Sequence, residues 1–88
     1  MSYRVELVQR AADELEALPK HVQKKVARWL DLLSRDPRYV RTKQLVSKGE
    51  LRRLHVGKDH VVVYAVRDTE GLVLVVRIAD RKDVYRGL

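Results

Sequence analysis

The chain has no cysteine. Disulfides and thiolate zinc sites are thereby excluded, which fits a reducing cytosol. No apolar stretch approaches the roughly 20 residues that a membrane-spanning helix needs. The opening MSYRVELV lacks the apolar run of a signal peptide, so a cytoplasmic protein is expected. The histidines form no His-x-x-x-His pattern, and no paired-acid motif accompanies them. A glycine-rich phosphate loop is missing too, so neither a metal nor an organic cofactor is expected. Ser2, Ser34 and Ser47 lie in tail or loop contexts without an adjacent base, which argues against a serine nucleophile. Repeats and low-complexity segments are absent.

What remains is a short, basic chain. Its 88 residues predict one domain spanning 1–88 with a modest core. Nineteen basic residues face twelve acidic ones, a formal charge of +7. The excess is uneven. Ahead of Arg38, seven bases meet six acids; from Arg38 onward, twelve meet six. A one-sided basic excess favours an anionic partner, such as nucleic acid, an acidic protein or a membrane surface.

Hydrophobic periodicity sets the expected elements. Tyr3, Val5 and Leu7 alternate with Arg4 and Glu6, the mark of a half-buried strand. Ala11, Leu15 and Leu18 recur at helical spacing, and Pro19 ends that short amphipathic helix. Val22, Val26, Trp29, Leu30 and Leu33 stripe a second helix over His21–Ser34, closed by Asp36-Pro37. Residues 38–50 read as a polar loop. Strands follow over Leu51–Val56, His60–Arg67 and Leu72–Ala79, joined by turns at Gly57-Lys58-Asp59 and Asp68-Thr69-Glu70-Gly71. Turns this short force antiparallel pairing. The expected fold is α+β in the order β-α-α-β-β-β. A helical hairpin covers one face of a four-stranded sheet, and the N-terminal strand adds to the last three.

Side-chain alternation then sorts the cations by face. Arg53 and His55 lie two apart and share a side. On the last strand Val73, Val75, Arg77, Ala79 and Arg81 share one face, while Leu72, Leu74, Val76 and Ile78 share the other. The purely apolar set is expected to meet the helices. The set ending in two arginines is expected to stay open, as a basic groove with Arg53 and His55. Arginine suits phosphate because its planar fork binds two oxygens. Tyr85, four residues beyond Arg81, can fold back over the end of that groove. Phosphodiester cleavage without a metal needs a proton acceptor, a proton donor and cationic charge near the reacting phosphate. His55 and Tyr85 are the proton-transfer candidates; Arg53 and Arg81 are the charge. Lys43, Lys48, Arg52, Lys58 and Arg77 are expected to add contacts to the same polyanion.

The same segments carry a resemblance. The opening strand YRVELV, the helical hairpin broken at Leu18-Pro19, the run LRRLHVGKDHVVVY and the closing IADRKDVY together resemble the RelE/ParE superfamily of bacterial and archaeal toxins. The resemblance covers nearly the whole chain. Its combination of Arg-Leu-x-Val-Gly-like, Val-Val-Tyr and Arg-x-Asp-Val-Tyr pieces is similar to the RelE side. It implies a toxin held inactive by an antitoxin encoded beside it. RelE-like members cleave mRNA in the ribosomal A site without metal, by attack of the ribose 2′-hydroxyl on the adjacent phosphate. ParE-like members share the fold and poison DNA gyrase instead. An inactive relative that only binds its antitoxin is the third reading.

Carried over by residue, the resemblance assigns function to Arg53, His55, Arg81 and Tyr85. Three positions depart from the family pattern. His55 stands where an arginine or lysine is usual. Val61 stands where a further arginine is common. Ala79-Asp80-Arg81 replaces a Gly-His-Arg, which adds an acid beside the site.

Overall fold

A computed structural model of the chain describes residues 2–46 and 49–86. The elements are β1 (Arg4–Leu7), α1 (Gln9–Ala17), α2 (Lys20–Arg35), β2 (Lys43–Gln44), β3 (Leu51–Val56), β4 (His60–Arg67) and β5 (Leu72–Asp80). The break between the helices lies where the sequence predicts it. Leu18 is extended, with ψ 153°, as a residue before proline prefers. Gln23 Nε2 then donates to the carbonyls of Glu16 and Leu18, at 3.0 and 2.8 Å, which satisfies acceptors left free at the end of α1.

The sheet has five strands in the order β1-β5-β4-β3-β2, not the four expected. β1 runs parallel to β5, and the other pairs are antiparallel. The added strand is two residues of the segment read as a loop: Lys43 pairs with Arg53 and Gln44 with Arg52. Two exposed polar residues carry no alternation, so no periodic signal marks them. A short strand led by lysine also blunts a sheet edge that would otherwise be free to pair.

The helices cover one face. Ala11, Val26 and Leu33 pack there with Leu54, Val56, Val62, Tyr64, Val73, Val75 and Ile78. Tyr3, Val5 and Leu7 join this core from β1, as their alternation predicts.

The expected facing of β5 needs correction. Val73 and Val75 point to the helices, whereas Leu72 and Leu74 belong to the opposite parity. The cause is a β-bulge. Tyr64 pairs with Val75 and Val63 with Arg77, so Val76 has no partner on β4. One inserted residue flips every side chain beyond it. Arg77, Ala79 and Arg81 therefore keep the face predicted for them, and Ile78 turns inward.

That second face is not bare. Val61, Val63 and Val84 are fully buried on it, flanked by Leu45, Leu51, Val76 and Ala79. Val84 comes from the turn after β5, in which the amides of Asp83 and Val84 both donate to the Asp80 carbonyl at 2.9 Å. The chain end thus folds over the sheet and closes a small second core.

Candidate functional site

β3 alternates cleanly. Leu54 and Val56 are buried against the helices, and Arg53 and His55 emerge on the far face. Their ends meet: Arg53 Nη1 lies 2.6 Å from His55 Nε2. Lys43, the cross-strand partner of Arg53 on β2, is exposed on the same face. Arg81 arrives from the other side. Its amide donates to the Asp59 carbonyl at 2.8 Å, which anchors it where β5 ends beside the β3–β4 turn.

Electrostatics records the same gathering. The His55 imidazole is held below its ordinary value of 6.5, first by burial, then by the positive charges of Arg53 and Arg81. An arginine can only donate, so the Nε2 lone pair must accept from Arg53 and Nδ1 carries the proton. His55 accepts from one guanidinium, and a second cation, Arg81, is near enough to disfavour its protonation. Such a set can accept a proton and stabilise a developing anion.

Tyr85 follows Val84, whose buried side chain holds the terminal turn to this face. Its ring remains 43% exposed. Asp80, the acid that departs from the family pattern, pairs with His60, and its Oδ1 accepts the Lys82 amide at 2.8 Å, within its own turn. Val61, where the family often has an arginine, is part of the apolar floor with no exposure. His60 cannot take that place, because it pairs with Val56 and Asp80 one position along, on the opposite parity.

The wider set of expected RNA contacts divides. Lys43 and Lys58 are exposed. Lys48 lies outside the described residues. Arg52 is on the helix side of β3, half-buried, with Nη2 donating to the Thr42 hydroxyl at 2.9 Å. Arg77 has the predicted parity but only 4% exposure. Its guanidinium faces the Glu14 carboxylate, with Nη2 at 2.9 Å. Neither Arg52 nor Arg77 is displayed on the open face. Two further residues shape this face, Glu14 and Val84. An apolar residue in the otherwise polar tail RKDVYRG is the one local signal that marked Val84; nothing local marks Glu14, 63 residues from its partner.

The profile of the ParE toxin of type II toxin–antitoxin systems, parDE, matches residues 5–85, nearly the whole chain. The chain belongs to the RelE/ParE toxin superfamily. It is a toxin of a type II toxin–antitoxin system. Solved toxins of this superfamily share its fold. The archaeal RelE–RelB complex from Pyrococcus horikoshii OT3 aligns with TM-score 0.77 and 24% identity, over 92% of this chain and 97% of that one. The RelBE2 toxin–antitoxin complex of Mycobacterium tuberculosis gives 0.80 and 22%, over 92% and 100%. The isolated E. coli RelE toxin gives 0.80 and 21%, over 90% and 84%. At these identities the likeness is one of fold. No curated protein matches this toxin by sequence. Among the described residues, no helix of the toxin is long and apolar enough to cross a membrane.

Proposed function

We propose that this toxin is an endoribonuclease that cleaves mRNA in the ribosomal A site, without a metal ion, in the cytoplasm. The observation that carries the reading is the Arg53–His55 pair on the exposed face of β3, with Arg81 anchored at the end of β5 where its charge bears on the same imidazole. The neutral His55 takes the proton of a ribose 2′-hydroxyl. The freed oxygen attacks the adjacent phosphorus, and the bond to the 5′-oxygen of the next nucleotide breaks. Tyr85 gives that oxygen its proton. The products are a 2′,3′-cyclic phosphate and a 5′-hydroxyl end. Arg53 and Arg81 stabilise the extra charge on the phosphate in between.

The hydrogen bond between Arg53 and His55 fits this sequence of events. A phosphate oxygen is a stronger partner for a guanidinium than a neutral imidazole nitrogen. Substrate therefore draws Arg53 from Nε2 and frees the lone pair that must accept the proton. Lys43, Lys48 and Lys58 add sequence-independent contacts to mRNA or ribosomal RNA. Arg52 and Arg77 leave this group.

The partner proposed in the cell is an antitoxin, as in the RelE–RelB and RelBE2 complexes. An acidic, amphipathic antitoxin segment would complement the +7 charge and the exposed Val40 and Val46. A second reading, a gyrase inhibitor without chemistry, has its own support: the matching profile is that of ParE, and the apolar Val61 leaves the site one cation short.

Inducible expression with primer extension on a reporter mRNA tests the first reading, wild type against Arg81→Ala. Codon-phased cuts that vanish in the variant are expected. Growth arrest with DNA damage and no cuts would move the assignment to gyrase. A soluble, folded protein that arrests nothing would leave antitoxin binding as its remaining activity.

A further inference from the structure

The Val76 bulge has delivered an arginine to an unusual place. Arg77 is nearly buried, yet three of its five N–H groups donate hydrogen bonds and Nη2 lies in ion-pair range of a carboxylate. Nε lies 2.9 and 3.2 Å from the two Glu14 oxygens, and Nη2 lies 2.9 Å from Glu14 Oε2. Nη1 reaches the other way. It donates to the Val84 carbonyl at 3.2 Å and to the Arg86 carbonyl at 2.8 Å. Those two carbonyls bracket Tyr85.

Glu14 is fixed in turn. Its Oε1 accepts the Ile78 amide at 2.9 Å. That amide lies on the edge of β5 beyond the reach of β1, whose pairing stops at Leu7 and Val75. One carboxylate from α1 thus caps an open sheet edge and orients a buried guanidinium. The guanidinium then grips the backbone on both sides of one tyrosine. A turn beyond the last strand keeps its place only through the contacts that tie it down. Val84 anchors this turn by packing, and Arg77 fixes it by direction.

We propose that Glu14 and Arg77 form a clamp that positions Tyr85 for proton donation, so that both act on cleavage through Tyr85 without touching RNA. The inference rests on the ribonuclease reading above. Lysine at position 77 would keep the charge but lose the fork that spans a carboxylate and two carbonyls. Glutamine at position 14 would keep an acceptor for Ile78 but remove the charge that orients the arginine.

The test is a double-mutant cycle in a purified translation system with the full-length toxin. Single-turnover cleavage is measured for wild type, Glu14→Gln, Arg77→Lys, Tyr85→Phe and each clamp variant combined with Tyr85→Phe. Each clamp variant alone is expected to slow cleavage about ten- to a hundredfold, the scale of a roughly 1 Å misplacement, with KM within about twofold. In the Tyr85→Phe background the same substitutions are expected to cost nothing further. Amide exchange at Asp83 and Val84 is expected to speed up while exchange in α2 stays unchanged. Equal losses in both backgrounds would show that the pair acts elsewhere, and full activity of both clamp variants would overturn the clamp. A Tyr85→Phe variant that cleaves like wild type would overturn the role of Tyr85 itself, a separable result. Should Arg77→Lys fail to fold, Glu14→Gln carries the cycle alone.

Discussion

Arg53 Nη1 and His55 Nε2 stand 2.6 Å apart, donor to acceptor, with Arg81 close enough for its charge to bear on the same ring. A base in this setting is tuned against protonation. Burial lowers the His55 pKa most, and the two cations lower it further.

The pH dependence of cleavage follows. The base must be neutral, so the rate rises as His55 loses its proton. Because its pKa is depressed, the midpoint of the acid limb is expected below 6.5, the ordinary value. Removing Arg81 takes away one of the depressing charges. In Arg81→Ala the imidazole itself, followed by NMR titration, is expected to show a midpoint displaced upward, part of the way back, since burial remains. Single-turnover rates between about pH 5 and 8, the range in which histidine titrates, would decide it. A wild-type midpoint above 6.5 would remove His55 from the role of base.

Salt separates the cations that meet RNA from those that do not. Each phosphate contact contributes about 0.7 to the slope of log affinity against log salt for a single strand. Lys43→Ala and Lys58→Ala are each expected to flatten the slope by roughly that amount. Arg52→Gln is expected to leave it unchanged, because that side chain serves Thr42 on the helix side. Binding titrations on a short RNA at several salt concentrations measure all three. An unaltered slope in both lysine variants would place the RNA elsewhere.

Arg52 shows how far the sequence could be read. It lies two residues from Leu54, and strict alternation already puts it on the core side. Charge alone groups it with Arg53; parity does not. The strands from Leu51 to Asp80, the two helices and the Leu18-Pro19 break were legible because each carries period 2, period 3.6 or a proline. So was the shared face of Arg53 and His55, a matter of parity on one strand. The two-residue β2 was not legible, since Lys43 and Gln44 form no period. Nor was the bulge: the run from Leu72 to Val76 is apolar at every position, so nothing marks where alternation slips. With no mark for the bulge, alternation alone puts Leu72 and Leu74 on the wrong face and gives no sign of Arg77 buried beside a glutamate 63 residues away.

Asp68 predicts an acid signature in stability. It accepts from the Tyr3 hydroxyl at 2.6 Å and from Arg38 Nη1 and Nη2 at 3.1 and 2.7 Å. The Arg38 bonds first, and then that of Tyr3, hold its carboxyl down to about 2 from 3.8. A depressed folded-state pKa contributes stability that is present above the unfolded value and lost as pH falls through the folded one. The gap in melting temperature between wild type and Asp68→Asn is therefore expected to be constant above about pH 5. It should close as pH falls from 3.8 toward about 2. A gap that ignores pH would mean the carboxylate is unperturbed in solution.

Tyr64 joins the two halves of the fold through one hydroxyl. Its ring is fully buried in the helix-side core, and its hydroxyl donates to the Pro37 carbonyl at 2.6 Å. Burial raises its pKa above the ordinary value of 10, so it remains a donor throughout the neutral range. Pro37 is itself buried, and its carbonyl follows the end of α2, where the chain turns toward β2. Tyr64→Phe keeps the packing and deletes the donor, leaving that acceptor unpaired. The expected cost is about 1–3 kcal/mol, read as a lower urea midpoint with an unchanged m-value. Cleavage by the folded fraction should be untouched, because this hydroxyl lies on the face away from His55. A loss of stability near zero would mean that water replaces the phenol at Pro37. A loss of cleavage with stability intact would mean instead that the helix-side core reaches the site through β4.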